Sequence, residues 1–334
     1  MDILARHLSN YPEEQLSDVV KLLFQRSFGA GHMIKDENDS LIRLRSELDA
    51  VEPDGNKSLT EDIGGDFVRV NLAAAKGRLS AETLNRIFVL SATADVNAAG
   101  NFEKSLGLIR NCRMFPFTEE EKEEYLEKYR QAGYPPVSHS EIYRRSYDPH
   151  YRIVRKKYAG IIGLLSDIDS VLREKGSVHV GIDGMAASGK TTLAETLSEI
   201  YDCSVFHADD YFLQPHQRTE KRLSEPGGNI DCERMKAEIT DRLDGTGPFF
   251  VRRYDCSSMK LLDETRVERK PVIIVEGVYS LHPYFGDVYD IKRVLSVSRE
   301  EQMRRLRERD PELVQRFIEE WLPMEDRYFS LLHV

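Results

Sequence analysis

Cysteine is scarce in this sequence, with only Cys112, Cys203, Cys232 and Cys256 among 334 residues. The four are far apart, form no C-x-x-C pair and have no histidine companion at zinc spacing, which argues against a zinc module or a dithiol redox site. They read as reduced structural thiols of a cytoplasmic protein. The nine histidines are scattered and no H-E-x-x-H occurs, so a metal site built from His and Cys is not expected. No apolar run reaches 18 residues, so no membrane span is expected. The opening MDILARHLSNYPEE lacks a basic stretch followed by an apolar one, and no secretory signal is expected. A formal net charge of −10 argues against a general nucleic-acid coat but leaves room for a local basic patch. Internal repeats and low-complexity linkers are absent too.

The chain does have ample apolar and charged residues, 40% and 31% of the total, in the proportions of an ordinary globular protein. Its length allows two domains, each with its own core. Residues 1–158 read as a mostly helical domain. LSDVVKLLFQRSF from Leu16 and SLIRLRSEL from Ser40 carry apolar residues at helical spacing. Ser80 begins a further helix as N-cap. Thr118 and Glu121 form a capping box, and Gly133 followed by Pro135 and Pro136 stops that helix.

From residue 159 the texture changes. A bridging helix from Tyr158 leads to SVHVGID, YDCSVFHAD and KPVIIVEG, which are short, β-branched and apolar, with helical patterns between them. Strands buried on both faces and separated by helices predict an α/β domain, a parallel sheet with helices on both sides. Ligands of such sheets gather at the C-terminal strand ends, where this chain places its polar clusters.

The first cluster is GMAASGKT, Gly184 to Thr191, a full match to the G-x-x-x-x-G-K-[ST] Walker A pattern between a strand and a helix. Glycines at 184 and 189 let backbone N–H groups curl around phosphate oxygens at a helix N-terminus. Gly184, Ala187, Ser188, Gly189, Lys190, Thr191 and Thr192 are therefore the candidate nucleotide-binding residues. Lys190 is placed to reach the β- and γ-phosphates and Thr191 to ligate Mg²⁺. Asp209 and Asp210 follow a strand expected to neighbour the loop, where a carboxylate can take a proton from an attacking hydroxyl or cap a helix. Glu276 ends a strongly apolar strand, so it needs a cation such as Mg²⁺, or loop amides. Arg304, Arg305, Arg307 and Arg309 follow the last strand, RVLSVS, either as a phosphate clamp or as a solvated helix with Arg–Glu pairs.

Taken in order, GMAASGKTT, HADDYF, GGNIDCERM, VRRYDCSSMK, EGVYSLHP and RRLRERD resemble the motifs of the uridine kinase and phosphoribulokinase family of P-loop small-molecule kinases. The resemblance runs from Val178 to about Phe329, roughly half of the chain. It implies ATP and Mg²⁺ as cofactors, Asp209 as catalytic base, Lys190 as a catalytic contact to the phosphates, and Arg305 and Arg309 as lid arginines. It also implies Asp210, Tyr211, Arg253, Tyr254 and Asp255 at the acceptor. The motif departs from the family in reading Asp-Asp-Tyr-Phe, in Arg252 and Arg253 before the tyrosine, and in a short lid. No guanine-reading N-K-x-D follows the loop and no L-S-G-G-Q occurs, which favours ATP over GTP and a kinase over a transporter ATPase.

Two stretches of the first half stand apart from this reading. RSFGAGHMIKD contains Gly29, Gly31 and His32 after an apolar helix, as a helix C-cap or a small anion-binding turn. SHSEIYRRSYDPHYRIVRKK sets Arg144, Arg145, Arg152, Arg155, Lys156 and Lys157 among four tyrosines, as a contact for a phosphorylated substrate or nucleic acid, or as an interdomain surface. The expectation for the whole is a kinase acting on a hydroxyl of a small metabolite, such as a nucleoside. The alternatives are an enzyme acting on nucleic-acid ends and a non-catalytic nucleotide sensor with a protein partner. A homo-oligomer is compatible with the sequence.

Overall fold

The helical spacing from Leu16 folds as the helix Leu16–Phe28, which buries Val19, Val20, Leu22, Leu23 and Phe24 and is enclosed on most of its sides. Gly29 closes it with φ +63, its N–H bonded to Gln25 O, which is the C-cap of the two readings of that turn. The computed structural model describes residues 3–92, 98–112 and 114–332. The chain divides into two compact units, Met1–Asp169 and Ser170–Val334, and the division falls inside the helix Ile162–Lys175.

The first unit is mostly helical, as expected. Ser80 caps its helix by accepting from Thr83 N at 3.0 Å. Thr118 and Glu121 form the reciprocal box at the start of Glu119–Gln131. The unit also holds a small antiparallel sheet of β1 (Thr60–Asp62), β2 (Phe67–Asn71) and β3 (Tyr151–Arg155), in the order β1-β2-β3. Arg69, central in β2, is only 2% exposed. Its guanidinium is met by Gln25 at 2.9 Å, His7 at 3.0 Å and Glu61 at 3.3 Å, and it lies 4.6 Å from the Tyr151 ring centre. A buried arginine persists only when its donors are met in this way.

In the second unit β4 (Val178–Gly184) leads into the glycine-rich loop, and β5 (Cys203–His207) into the Asp-Asp turn. Two hairpins follow. β6 (Phe249–Val251) pairs with β9 (Thr265–Val267), and inside that hairpin β7 (Tyr254–Asp255) pairs with β8 (Lys260–Leu261). β10 (Val272–Glu276) and β11 (Ile291–Leu295) complete a four-stranded, all-parallel sheet in the order β11-β4-β10-β5. The sheet is flanked by helices, a P-loop α/β architecture. One detail differs from the sequence-based expectation: β5 is not adjacent to the loop strand, because β10 lies between them. β10 is buried at every position and has a neighbour on both sides, which is where the most uniformly apolar of these strands belongs. Ile273 and Val275 face a core that includes Phe206, Met235, Tyr289 and Tyr328. Among the described residues no helix is long and apolar enough to cross a membrane.

Candidate active site

The loop leaves β4 through Gly184, at φ +142. A Cβ there would stand 2.1 Å from Leu295 O, so β11 approaches too closely for any other residue. Ala187 at φ +58 and Gly189 at φ +102 complete the curl before the helix Lys190–Ile200. Four successive loop carbonyls, from Gly184 to Ala187, are occupied by side chains. Lys190 Nζ donates to Gly184 O and Met185 O, each at 2.9 Å, Gln302 Nε2 donates to Ala186 O at 3.0 Å, and Arg305 Nη1 to Ala187 O at 3.0 Å. Among the described residues the N–H groups of Ala187 and Gly189 have no protein acceptor, and Ser188 Oγ is buried without a partner. Carbonyls tied back and donors left over are what an anionic ligand requires.

Two buried carboxylates that carry no motif hold this shape. Asp183, fully buried at the end of β4, accepts from Gly184 N at 2.6 Å, Tyr279 N at 3.1 Å, Leu281 N at 2.9 Å and the Tyr328 hydroxyl at 2.6 Å. Burial nevertheless raises its carboxyl above the ordinary value, with the hydrogen bonds and Lys190 opposing. Glu325 accepts from Ala186 N at 2.8 Å and from Gln302 Nε2 at 2.9 Å, and burial raises it likewise. Neither role follows from local sequence, since Tyr279, Leu281 and Tyr328 lie 96, 98 and 145 positions from Asp183 and Ala186 lies 139 from Glu325. The one available signal was Asp183 itself, a carboxylate ending an apolar strand directly before the loop.

Thr191 Oγ1 donates to Glu276 Oε1 at 3.1 Å, and His207 Nδ1 lies 2.6 Å from the same oxygen. Glu276 is 4% exposed. It meets side chains rather than loop amides, and a hydroxyl beside a carboxylate is a hard-oxygen donor pair suited to Mg²⁺. Among the described residues no group of three or more His, Cys, Asp or Glu has metal-holding geometry. An ion on this pair would take the rest of its shell from water and a bound anion, the arrangement Mg²⁺ favours. Burial lowers the Lys190 ammonium, while Asp183, Glu276, Glu325 and Asp209 pull it back up.

A cavity of about 1540 Å³ joins these parts. Ala187, Gly189, Lys190, Thr191, Thr192, Asp209, Glu276, Arg305 and Arg309 all line it, whereas Gly184 and Ser188 lie behind its wall. Asp209 is open to the cavity. Protein enclosure, and secondarily Glu276, raise its carboxyl, with Lys190, His207 and Arg309 opposing. Arg309 pairs with Asp310 beside the Phe317 ring. Arg304 is wholly engaged with Glu301 and Glu308, the solvated-helix alternative.

The expected acceptor residues fall elsewhere. Asp210, Tyr211, Arg253, Tyr254 and Asp255 do not line the cavity. Tyr211 is buried, with its hydroxyl 3.3 Å from Glu238 and the Arg234 guanidinium over its ring at 4.1 Å. The buried Tyr254 hydroxyl accepts from Arg218 at 3.0 Å. Asp255 accepts from Ser257 and Ser258 within its own turn, which holds its carboxyl down to about 2. Arg253 is exposed. The wall beyond Asp209 is instead made by Phe212, Leu213, Arg218, Leu223, Asn229 and Met259, and Asn229 Oδ1 is buried there without a partner among the described residues.

No protein-family model matches the chain. Among solved structures it is similar to a possible uridine kinase from Bacillus stearothermophilus, with 22% identity over 50% of this chain and 92% of the other and a TM-score of 0.38. It is also similar to a protein described as a fructose transport system kinase from Silicibacter sp., with 20% identity over 52% of this chain and 93% of the other and a TM-score of 0.44.

Proposed function

We propose that the second unit is an ATP- and Mg²⁺-dependent kinase that phosphorylates a hydroxyl group of a small metabolite. The observation that carries this reading is the placement of Asp209. It is a carboxylate of raised pKa in the same cavity as Lys190, Thr191 and Glu276, between the phosphate loop and an apolar wall. The cavity exceeds the ~300–1,000 Å³ that a single small ligand fills, so it has room for donor and acceptor together.

In this reading the N–H groups of Ala187 and Gly189 and the helix N-terminus bind the phosphates, and Lys190 leaves its carbonyls to join them. Thr191 and Glu276 hold Mg²⁺, which when bound neutralises developing charge on the phosphates. Asp209 accepts the proton of the acceptor hydroxyl as it attacks phosphorus in line. Arg305 and Arg309 lie on the helix Arg299–Arg309 beside the loop, and their charge favours the transferring group. Phe212, Leu213 and Met259 exclude water from one face of the acceptor, and Asn229 offers it an unspent carboxamide. Residues 210, 211 and 253–255 then shape the wall from behind. The test is ATP consumption with product mass measured across nucleosides, sugars, vitamins and amino alcohols. One acceptor should gain a phosphate, and Asp209→Asn should abolish the transfer while ATP still binds. Transfer at the full rate by that variant sinks the assignment of the base.

A further inference from the structure

The basic and aromatic run that begins at Ser138 has no part in the phosphate-loop unit. Six of its residues, Ser138, His139, Arg144, Asp148, Pro149 and His150, nonetheless share one open cavity of about 280 Å³ in the first unit, lined also by Lys21 from the helix Leu16–Phe28. The polar groups around it divide into those already used and those left over.

The two histidines are used. His139 places Nδ1 2.9 Å from Asp18 and Nε2 2.6 Å from the Tyr151 hydroxyl, and burial holds it down to about 4, so it is a neutral wall. His150 is 2.9 Å from Glu47 and 3.2 Å from Asp148. The Asp18 carboxylate behind them is filled by Gln15 N, Ser140 N, Ser140 Oγ and His139. Asp148 stands at the rim, 86% exposed.

The donors left over are of one kind. Lys21 Nζ gives one hydrogen to Val137 O at 2.9 Å and keeps two. Among the described residues, no acceptor meets the Arg144 guanidinium and no partner meets the Ser138 hydroxyl. Its neighbour Arg145 pairs with Glu141, so Arg144 is singled out. Burial lowers Lys21 to about 8, and Arg69 and Arg144 push it the same way, against Asp18. Two cations that repel each other across a concave wall, with the exposed Asp148 at the rim as the one carboxylate among the lining residues, are stabilised by an anion placed there.

We propose that this cavity is a binding site for a small phosphate monoester, held by Lys21, Arg144 and Ser138. A phosphate offers three oxygens to an ammonium, a guanidinium fork and a hydroxyl, whereas a carboxylate offers two. The volume is just below the ~300–1,000 Å³ of pockets for drug-sized ligands, so the organic part spans only a few carbons.

The test uses the full chain carrying Lys190→Ala, so that the phosphate loop does not compete for the probe. Calorimetric titration with glycerol 3-phosphate should show saturable binding, with inorganic phosphate weaker and succinate weaker still. Arg144→Gln, at an exposed position, should weaken it about tenfold or more, the loss of a charge-assisted hydrogen bond, and Lys21→Met should do the same. Arg145→Gln should leave it unchanged. Melting temperatures without ligand separate a lost site from a lost fold, and Ser138→Ala serves in place of Lys21→Met if that variant unfolds. Binding that survives Arg144→Gln, absence of saturable heat, or succinate binding as tightly as glycerol 3-phosphate would overturn the proposal.

Discussion

Thr191 and His207 converge on a single oxygen of Glu276, Thr191 Oγ1 at 3.1 Å and His207 Nδ1 at 2.6 Å. The three come from the helix after the loop, the end of β5 and the end of β10, and the adjacency of β10 and β5 sets His207 directly opposite Glu276 in register. Two donors on one oxygen leave the other oxygen of Glu276 without a protein hydrogen bond among the described residues.

That free valence makes Glu276→Gln informative. The substitution keeps size and removes the negative charge. In the proposed kinase, phosphotransfer should fall by about 10²-fold or more, and a higher Mg²⁺ concentration should be needed for half-maximal rate. Nucleotide binding measured without Mg²⁺ should hardly change. A variant with the parental Mg²⁺ dependence would remove Glu276 from the metal shell.

Gly184 gives a prediction that rests on geometry alone. Its φ of +142 is a region closed to other residues, and an added Cβ would meet Leu295 O at 2.1 Å and Leu295 N at 2.7 Å. The obstruction is backbone in a paired strand and cannot swing aside. Gly184→Ala should destabilise the second unit by about 3 kcal/mol or more, seen as a lowered melting temperature. Gly163→Ala, in a helix with nothing within 4 Å, should be neutral or slightly stabilising.

The first unit should carry a pH signature from His7 and Glu14, buried 2.6 Å apart. Glu14 Oε1 has no partner among the described residues, and burial, reinforced by Asp18, raises the carboxyl from 4.5 to about 8. Burial and Arg69 lower His7 from 6.5 to about 2. Between about 4.5 and 8 the folded chain holds a proton at Glu14 that the unfolded chain has lost, so stability falls as pH rises. Between about 2 and 6.5 the unfolded chain holds a proton at His7 that the folded chain lacks, so stability rises with pH. The two slopes oppose each other from 4.5 to 6.5, and from 6.5 to 8 the decline remains, at most ~1.4 kcal/mol per pH unit. Denaturant melts of Glu14→Gln should lose that decline and show an uncancelled rise below 6.5. An unchanged profile would mean that Glu14 is ionised in the folded state at neutral pH.

What could be read from the sequence was local. The loop, the parallel strands and the acidic strand ends announce themselves within spans of a few residues, because a phosphate-binding turn needs glycine, lysine and threonine at fixed spacing. Asp183, Gln302 and Glu325 do not, because each acts on residues remote in sequence and none sits in a pattern. Phe212 and Asn229 lie inside the motifs HADDYF and GGNIDCERM, but their place in the cavity wall depends on a chain crossing, the bridge between Phe212 and Ile230, that neither motif displays. The small sheet of the first unit was hidden by its charges. FVRVN has an arginine at its centre and YRIVR reads as part of a basic run, yet Arg69 is buried because partners from distant segments meet its donors.

The hydrogen bond from Ala186 N to Glu325 spans 139 positions, and the one from Tyr328 to Asp183 spans 145. During synthesis the glycine-rich segment is therefore made long before the groups that shape it. Until residues 325 and 328 have emerged from the ribosome the loop lacks these two anchors, so its final shape is reached only once nearly all of the unit is free to close on itself.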